Sequence, residues 1–318
     1  MAAPFFSVVI PVYNRAHSLG AAVASVRAQS FQDFEIVVVD DGSQDNPRAV
    51  IDRLNDPRIR FIRQINAGGG AARNTGIDNA LGRFIAFLDS DDVFLPAHLE
   101  AMHNLLDGTQ DLVGYARVRV DRGQGRVFLK PPRALGADEN MAEYLLCDRG
   151  FTPTSTLAVP RGIAALVRFD EHLKAAEDTD FAIRLGLAGC RFAMLEAPGA
   201  VWQDQFDPGR LSASKGGDEL NAWLSRLKPQ IPLRAWRGAR GWAYAKLIAR
   251  QHPLKALRLY LDAVIHGCYR PRLAVTVFLQ IFLGRAAYRR LADTGIAWLR
   301  LGLRERHDRT PAAKLKRA

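Results

Sequence analysis

The chain has 318 residues, of which 48% are hydrophobic and 24% charged, with 44 Lys and Arg against 33 Asp and Glu. That length and balance suit one large or two unequal globular domains and exclude wholesale disorder or a collagen-like chain. The net charge of +11 is segregated: residues 1–225 carry 23 basic and 29 acidic side chains, whereas residues 226–318 carry 21 basic and four acidic ones. An acidic body of −6 is therefore joined to a basic segment of +17, and such a segment points to an anionic partner.

In chain order, Ser7–Ile10 reads as a short buried strand, and Asn14 can cap a helix carrying Leu19, Val23 and Val26 at helical spacing. Glu35–Val39 is a second buried strand, closed by the turn chemistry of Asp40-Asp41-Gly42-Ser43. Asn46-Pro47 opens another helix, Ile59–Ile62 is a third strand and Ala71–Leu81 is helical. Phe84–Leu88 is a fourth strand, ending in Asp89-Ser90-Asp91-Asp92. Short strands alternating with helices predict an α/β fold, with a mostly parallel sheet covered on both faces. Ligands bind such sheets beyond the carboxyl ends of the strands, where the polar clusters after Ile10, Val39 and Leu88 converge. Strands are expected at Leu112–Val120 and Arg191–Leu195, a helix at Asp178–Leu187 and turning segments at Pro208-Gly209 and Gly216-Gly217. After 226 the pattern turns to Arg- and Leu-rich helices, with Leu254, Leu257, Leu261 and Ile265 on one face and Arg258 among them.

The acidic cluster carries the strongest chemical signal. Three carboxylates in four residues, Asp89, Asp91 and Asp92, repel one another unless a cation lies between them. Oxygen ligands and a substrate phosphate suit Mg or Mn. In isolation such a triplet reads as a solvated turn at a helix start; following a buried strand of an α/β sheet, it reads as a site. Asp40 and Asp41 end a neighbouring strand, where an acid can accept from a base or ribose, although Asp-Gly-Ser is also turn chemistry. Gly68-Gly69-Gly70 permits close backbone approach, and Arg73 behind it can neutralise a diphosphate or stand as a surface cation. The spacing fits neither the phosphate-loop nor the dinucleotide fingerprint. Glu177, Asp178 and Asp180 open a helix, where they serve either its dipole or as a base for an acceptor hydroxyl.

Together Ser7–Asn14, Glu35–Ser43, Asn66–Gly76 and Phe87–Asp92 resemble, in order and spacing, the family-2 glycosyltransferases of GT-A fold. The resemblance covers about the first hundred residues, with Glu177-Asp178 matching the family's acidic acceptor-side motif and Trp202 following it. It implies that residues 1–225 form the GT-A catalytic domain, 1–110 binding the nucleotide sugar and 111–225 the acceptor; it does not reach 226–318, which the sequence pattern alone reads as a helical basic extension. Pro11 and Tyr13 would line the nucleotide pocket, Asp41 would bond the base, and Asp40 would support the loop or reach the ribose. Arg73 and Asp89 would lie at the donor, Asp89 and Asp91 would bind the divalent metal, and Asp92 and Glu177 would support them. Asp178 would be the general base of an inverting transfer. The donor would be a nucleotide sugar, UDP-linked by preference, and the acceptor a glycan or lipid-linked glycan of envelope, capsule or exopolysaccharide assembly. The Gln-x-x-Arg-Trp motif of processive members is absent, so polymerisation is not expected. A metal-dependent nucleotidyltransferase and a catalytically silent glycan-binding protein on the same fold are the rivals.

The basic segment has no zinc-finger spacing, RNA-recognition motif or basic-leucine heptad, so nucleic acid is not the expected partner. An anionic membrane surface fits its Leu, Ile and Arg mixture, and a helical subdomain with a basic outer face accounts for it equally. Cys147, Cys190 and Cys268 match neither a disulfide framework nor a metal spacing, which favours a reducing compartment. The N-terminus lacks a basic leader region, and the apolar run Leu273–Leu283 is too short to span a bilayer. The expected location is cytoplasmic, peripheral at the inner membrane face.

Overall fold

A computed structural model describes residues 3–123, 125–173, 176–203 and 217–283. Strand β1 (Phe6–Val12) is followed by α1 (Ala16–Arg27), β2 (Phe34–Asp40), α2 (Pro47–Asp52), β3 (Ile59–Arg63), α3 (Gly69–Asn79) and β4 (Phe84–Phe87). Then come β5 (Val93–Phe94), α4 (His98–Leu106), β6 (Leu112–Asp121), β7 (Val127–Lys130), α5 (Met141–Cys147), β8 (Ala158–Pro160) and α6 (Arg161–Val167). Helix α7 (Glu177–Leu187), β9 (Arg191–Gln203) and α8 (Gly217–Leu227) follow. The chain continues with α9 (Leu233–Ala239), α10 (Ala245–Ile248), α11 (Pro253–Ile265) and α12 (Pro271–Phe282).

The nine strands form one mixed sheet in the order β3-β2-β1-β4-β8-β6-β9-β5, with β7 on the free side of β6. Pairings within β3-β2-β1-β4 are parallel, as the strand–helix alternation predicts, and β6 pairs with β9 in parallel too. Strand β8 enters antiparallel between β4 and β6, so it joins the two parallel groups.

The apolar runs of β1 and β2 are continuous because both faces are covered. Alternate residues divide between two cores. Val8, Ile10, Val12, Ile36 and Val38 pack with Leu19, Val23 and Val26 of α1 and with Leu99, Met102 and Leu106 of α4. Val9, Val37 and Val39 pack on the other face with Ala72 and Ile77 of α3, Ala164 of α6, and Phe181 and Leu185 of α7. Each fully buried Val, Leu or Ile contributes roughly 1.5–3 kcal/mol, so the central strands anchor the fold and hold their carboxyl ends in place. Gly76 brings α3 down on β1, because a Cβ there would stand 2.2 Å from Val9 Cγ1.

The structure changes two expectations. Asn14 does not cap α1: it has φ 51°, the position next to the helix is Arg15, and the Asn14 carboxamide accepts from Gln44 N at 2.8 Å. Strands β5, β7 and β8, of two to four residues, were not read from the sequence, being too short to show a period. Pro208-Gly209 and Gly216 lie outside the described residues.

The chain divides into two compact units at Ala235/Trp236, downstream of the charge boundary at 225/226. Helix α8 stays with the first unit, where Trp223, 3% exposed, donates from Nε1 to Asp180 at 2.7 Å.

Candidate active site

The carboxyl ends of β1, β2 and β4 and the N-terminus of α7 meet, tied by bonds between distant segments. Asn14 N donates to Ser43 Oγ at 2.9 Å and Ala16 N to Asp45 at 2.7 Å, which locks the loop after β1 to the loop after β2. Arg15 reaches the loop after β4, with its guanidinium 3.3 Å from Asp91. Tyr13 is 41% exposed on this surface, and Pro11 is half-buried beneath it in the strand.

Asp40 and Asp41 are both buried. Asp40 Oδ1 accepts from Ser43 N at 2.8 Å and closes the turn. Its Oδ2 has no hydrogen-bond partner, and the nearest cation is Arg63 Nε at 3.6 Å. The Asp41 carboxylate accepts from Gln64 Nε2 at 2.8 Å, Ala67 N at 2.9 Å and Gly68 N at 2.8 Å. Asp41 therefore shapes the 64–68 loop, with Gly68 at φ 96° turning the chain into α3.

Arg73 is the centre of the cluster. It is 7% exposed, donates from Nη2 to Asp89 at 2.7 Å and from Nη1 to Glu177 at 3.4 Å, and lies over the Phe169 ring at 5.4 Å. Burial works against its charge, but the carboxylates of Asp89, Glu177 and Asp178 outweigh that and hold the guanidinium above its usual range. Its Nε is buried without a hydrogen-bond partner. The adjoining Asn74 turns the other way, exchanging bonds of 3.0 and 2.8 Å with the Phe169 backbone, and so fixes the approach to α7 against α3.

The three carboxylates after β4 have different environments. Asp89 and Asp91 are half-buried and face Arg73 and Arg15 respectively. Asp92 is buried, accepts from Ser155 Oγ, and takes a longer bond of 3.4 Å from Gln203 N. Burial, then the charge of Asp89, pushes its carboxyl well above the ordinary range. Ser155 also accepts from Asp89 N at 3.2 Å.

At the head of α7 the three acids separate as well. Asp180 is buried, with its oxygens taken by Trp223 Nε1 and by Arg184 Nε at 2.6 Å, so it is a packing residue. Glu177 is turned toward Arg73. Asp178 accepts from Thr179 N at 2.6 Å, and burial together with the neighbouring Glu177 pushes it up to about 6. A carboxylate near that value is ionised at neutral pH yet basic enough to accept a proton.

The structure thus brings together Arg73, Asp89, Asp91, Asp92, Glu177 and Asp178, and keeps Asp40 and Asp41 in the frame of the adjoining loop. Sequence reading missed Arg15, Ser155 and Gln203. Arg15 directly follows Asn14 of the first motif, and Ser155 lies in Thr152–Thr156, a hydroxyl-rich run that carries no motif.

Among the described residues no cluster of three or more His, Cys, Asp or Glu side chains forms a closed metal cage. Asp89 and Asp91 still fit a hard divalent cation, since Mg and Mn commonly take one or two carboxylates and complete their shell with substrate phosphate. Charge balance agrees. Around Arg15 and Arg73 stand Asp89, Asp91, Glu177 and Asp178, an excess of negative charge that a diphosphate would deepen.

Residues 7–164 match the model of "Glycosyl transferase family 2". The chain is 30% identical over 239 residues to the amylovoran biosynthesis glycosyltransferase AmsB of Erwinia amylovora, covering 72% of this chain and 79% of that protein. The chain belongs to glycosyltransferase family 2. It is also 33% identical to the succinoglycan biosynthesis protein ExoW of Rhizobium meliloti, over 61% of this chain and 67% of that one. A third relative matches a shorter stretch at 41% identity, covering 31% of this chain and 40% of its own length. It is the Escherichia coli UDP-Glc:alpha-D-GlcNAc-diphosphoundecaprenol beta-1,3-glucosyltransferase WfgD. The fold is GT-A, as the solved structures show. S. aureus TarS 1-349 in complex with UDP-GlcNAc superposes with a TM-score of 0.63 at 18% identity, covering 88% of this chain and 87% of that one. The mannosyltransferase PcManGT of Pyrobaculum calidifontis, in complex with GDP-Man and Mn2+, superposes with a TM-score of 0.57 at 15% identity, covering 93% and 80%. Family membership decides for a transferase of sugars over the nucleotidyltransferase reading.

Proposed function

We propose that this protein transfers a sugar, with inversion, from a nucleotide-sugar donor to a hydroxyl of a glycan or lipid-linked glycan during assembly of a surface polysaccharide. The observation that carries the reading is Arg73, which joins Asp89 of the donor side to Glu177 beside Asp178 on the acceptor side. A UDP-sugar is the favoured donor, supported by the UDP-GlcNAc bound to TarS and the UDP-Glc in the name of WfgD. The names of AmsB and ExoW support an exopolysaccharide setting, and that of WfgD a diphosphate-linked lipid acceptor.

In this reading the base packs against Tyr13, with Pro11, Asp40 and Asp41 forming the pocket wall through the loops they hold. Arg73 faces the diphosphate. Asp89 and Asp91 would hold a divalent cation, which would supply positive charge to the leaving diphosphate. Asp92 keeps Asp89 in place through Ser155. Asp178 takes the proton of the acceptor hydroxyl as its oxygen bonds to the anomeric carbon. The bond from that carbon to the diphosphate oxygen breaks, and the nucleoside diphosphate departs with the pair.

The test separates binding from transfer. Asp178→Asn is expected to bind the nucleotide as wild type does while transfer falls roughly 10²–10⁴-fold. Asp91→Ala is expected to lose the Mn2+-dependent part of nucleotide binding, read by calorimetry, together with turnover. Near wild-type transfer by Asp178→Asn, scored with a panel of UDP-, GDP- and dTDP-sugars, would remove Asp178 as the base.

A further inference from the structure

We propose that the unit beginning at Trp236 docks on an anionic lipid surface through the outward face of α11 and the adjoining side of α12; this does not rest on the transferase reading. The decisive feature is that α11 leaves three of the four residues of its Leu and Ile row exposed, Leu257 alone being half-buried. Its buried positions are Ala256, Tyr260 and Ala263, whereas Leu254 is 82% exposed, Ile265 78% and Leu261 45%. An amphipathic helix packed within a domain ordinarily buries the larger apolar side chains and exposes the smaller and polar ones. Beside this row Phe278 of α12 is 41% exposed with its ring 5.6 Å from that of Tyr260, and Val275 is 61% exposed.

The second feature is charge on the same ground. Arg258 stands within the row, between Leu254 and Leu261, and Lys255 beside it is exposed. Residues 236–283 contain eight Lys and Arg and one acid, Asp262, which lies 3.6 Å from Arg237. A partner must therefore cover large apolar side chains and offer negative charge around them.

An acidic protein or nucleic acid would pair the cations and leave Leu254 and Ile265 in water. A purely apolar partner would strand the cations, which is costly. A second copy presents the same positive face, and residues 284–318 bring ten basic against three acidic side chains of their own. An anionic headgroup layer above acyl chains supplies both components, with apolar side chains inserted and Lys and Arg at the phosphates. Among the described residues no helix is long and apolar enough to cross a membrane.

The test is sedimentation of the full chain with phosphatidylcholine vesicles, with and without phosphatidylglycerol. Binding is expected only with phosphatidylglycerol and should weaken as salt rises. The double variants Leu254→Ser/Ile265→Ser and Lys255→Glu/Arg258→Glu should each bind those vesicles at least about tenfold more weakly. Wild-type helix content by circular dichroism and an unchanged melting transition of the unit beginning at Trp236 show that the variants are still folded. Equal sedimentation with both vesicle types, absence of binding, or wild-type binding by both variants overturns the proposal. So does a concentration-dependent dimer that Leu254→Ser/Ile265→Ser dissolves, since the face would then belong to a second copy.

Discussion

Asp178 and Asp180, two residues apart on one helix turn, show how environment separates identical side chains. Asp180 is bound by Trp223 and Arg184, while Asp178, pushed up to about 6 by burial and then by Glu177, retains proton affinity. As pH falls through about 6, Asp178 takes up a proton and can no longer accept one. The kcat/KM for transfer is therefore expected to drop about tenfold per pH unit below that point. The sign reverses for stability. A carboxyl whose folded value lies above its unfolded value favours the folded state below the unfolded value and loses that contribution as pH rises through about 6. Asp178→Asn should therefore melt higher than wild type at pH 8, by on the order of 1–2 kcal/mol, while transferring poorly. A variant no more stable than wild type at pH 8 would show that Asp178 is not strained there. The sequence placed three acids at this helix start but could not rank them, because ranking depends on which partners approach from Arg73, Arg184 and Trp223. Tertiary neighbours 43 and 104 residues away are invisible to local spacing.

At the scale of elements, the parallel half of the sheet was legible because β1, β2 and β4 are continuous apolar runs ended by polar clusters. The antiparallel inserts β5 and β8 were not, since two or three residues carry no period and owe their pairing to neighbours. Helix α11 is the instructive case. Its row of Leu and Ile was visible, yet the direction of that row was fixed by packing, with Gly241 allowing close approach to Ala263. Helix α3 makes a sharper demand. A methyl at position 76 would stand 2.2 Å from Val9, so Gly76→Ala must push α3 away from β1. The expected loss is about 1–3 kcal/mol, partly offset by the better helix propensity of Ala. Since Arg73 rides on the same helix, nucleotide affinity should fall with the melting temperature. A stable Gly76→Ala protein with unchanged nucleotide binding would show that α3 accommodates the methyl.

For the whole molecule, net charge proved a poor guide to chemistry, since +11 conceals an acidic body of −6 and a basic segment of +17. The division between the compact units falls within α9 rather than at the charge boundary, which places α8 and its Trp223 in the unit ending at Ala235. Calorimetry is expected to show two transitions, and nucleotide with Mn2+ should raise only that of the unit ending at Ala235. One transition displaced as a whole by the ligand would mean that the units unfold together.

The buried carboxyl of Asp92 bears on how such a protein can be altered. It belongs to the segment that follows β4, yet its bonds come from Ser155 and from the backbone of Gln203, 63 and 111 residues later. If the donor and acceptor sides divide near residue 110 as proposed, they are consequently not interchangeable parts. A chimera cut near residue 110, with the remainder taken from a relative, is expected to keep Asp92 buried and Asp89 oriented only where the relative supplies a hydroxyl at the position of Ser155 and an amide placed as that of Gln203. Acceptor specificity is better moved by substitutions that leave Thr154–Thr156 and the end of β9 intact.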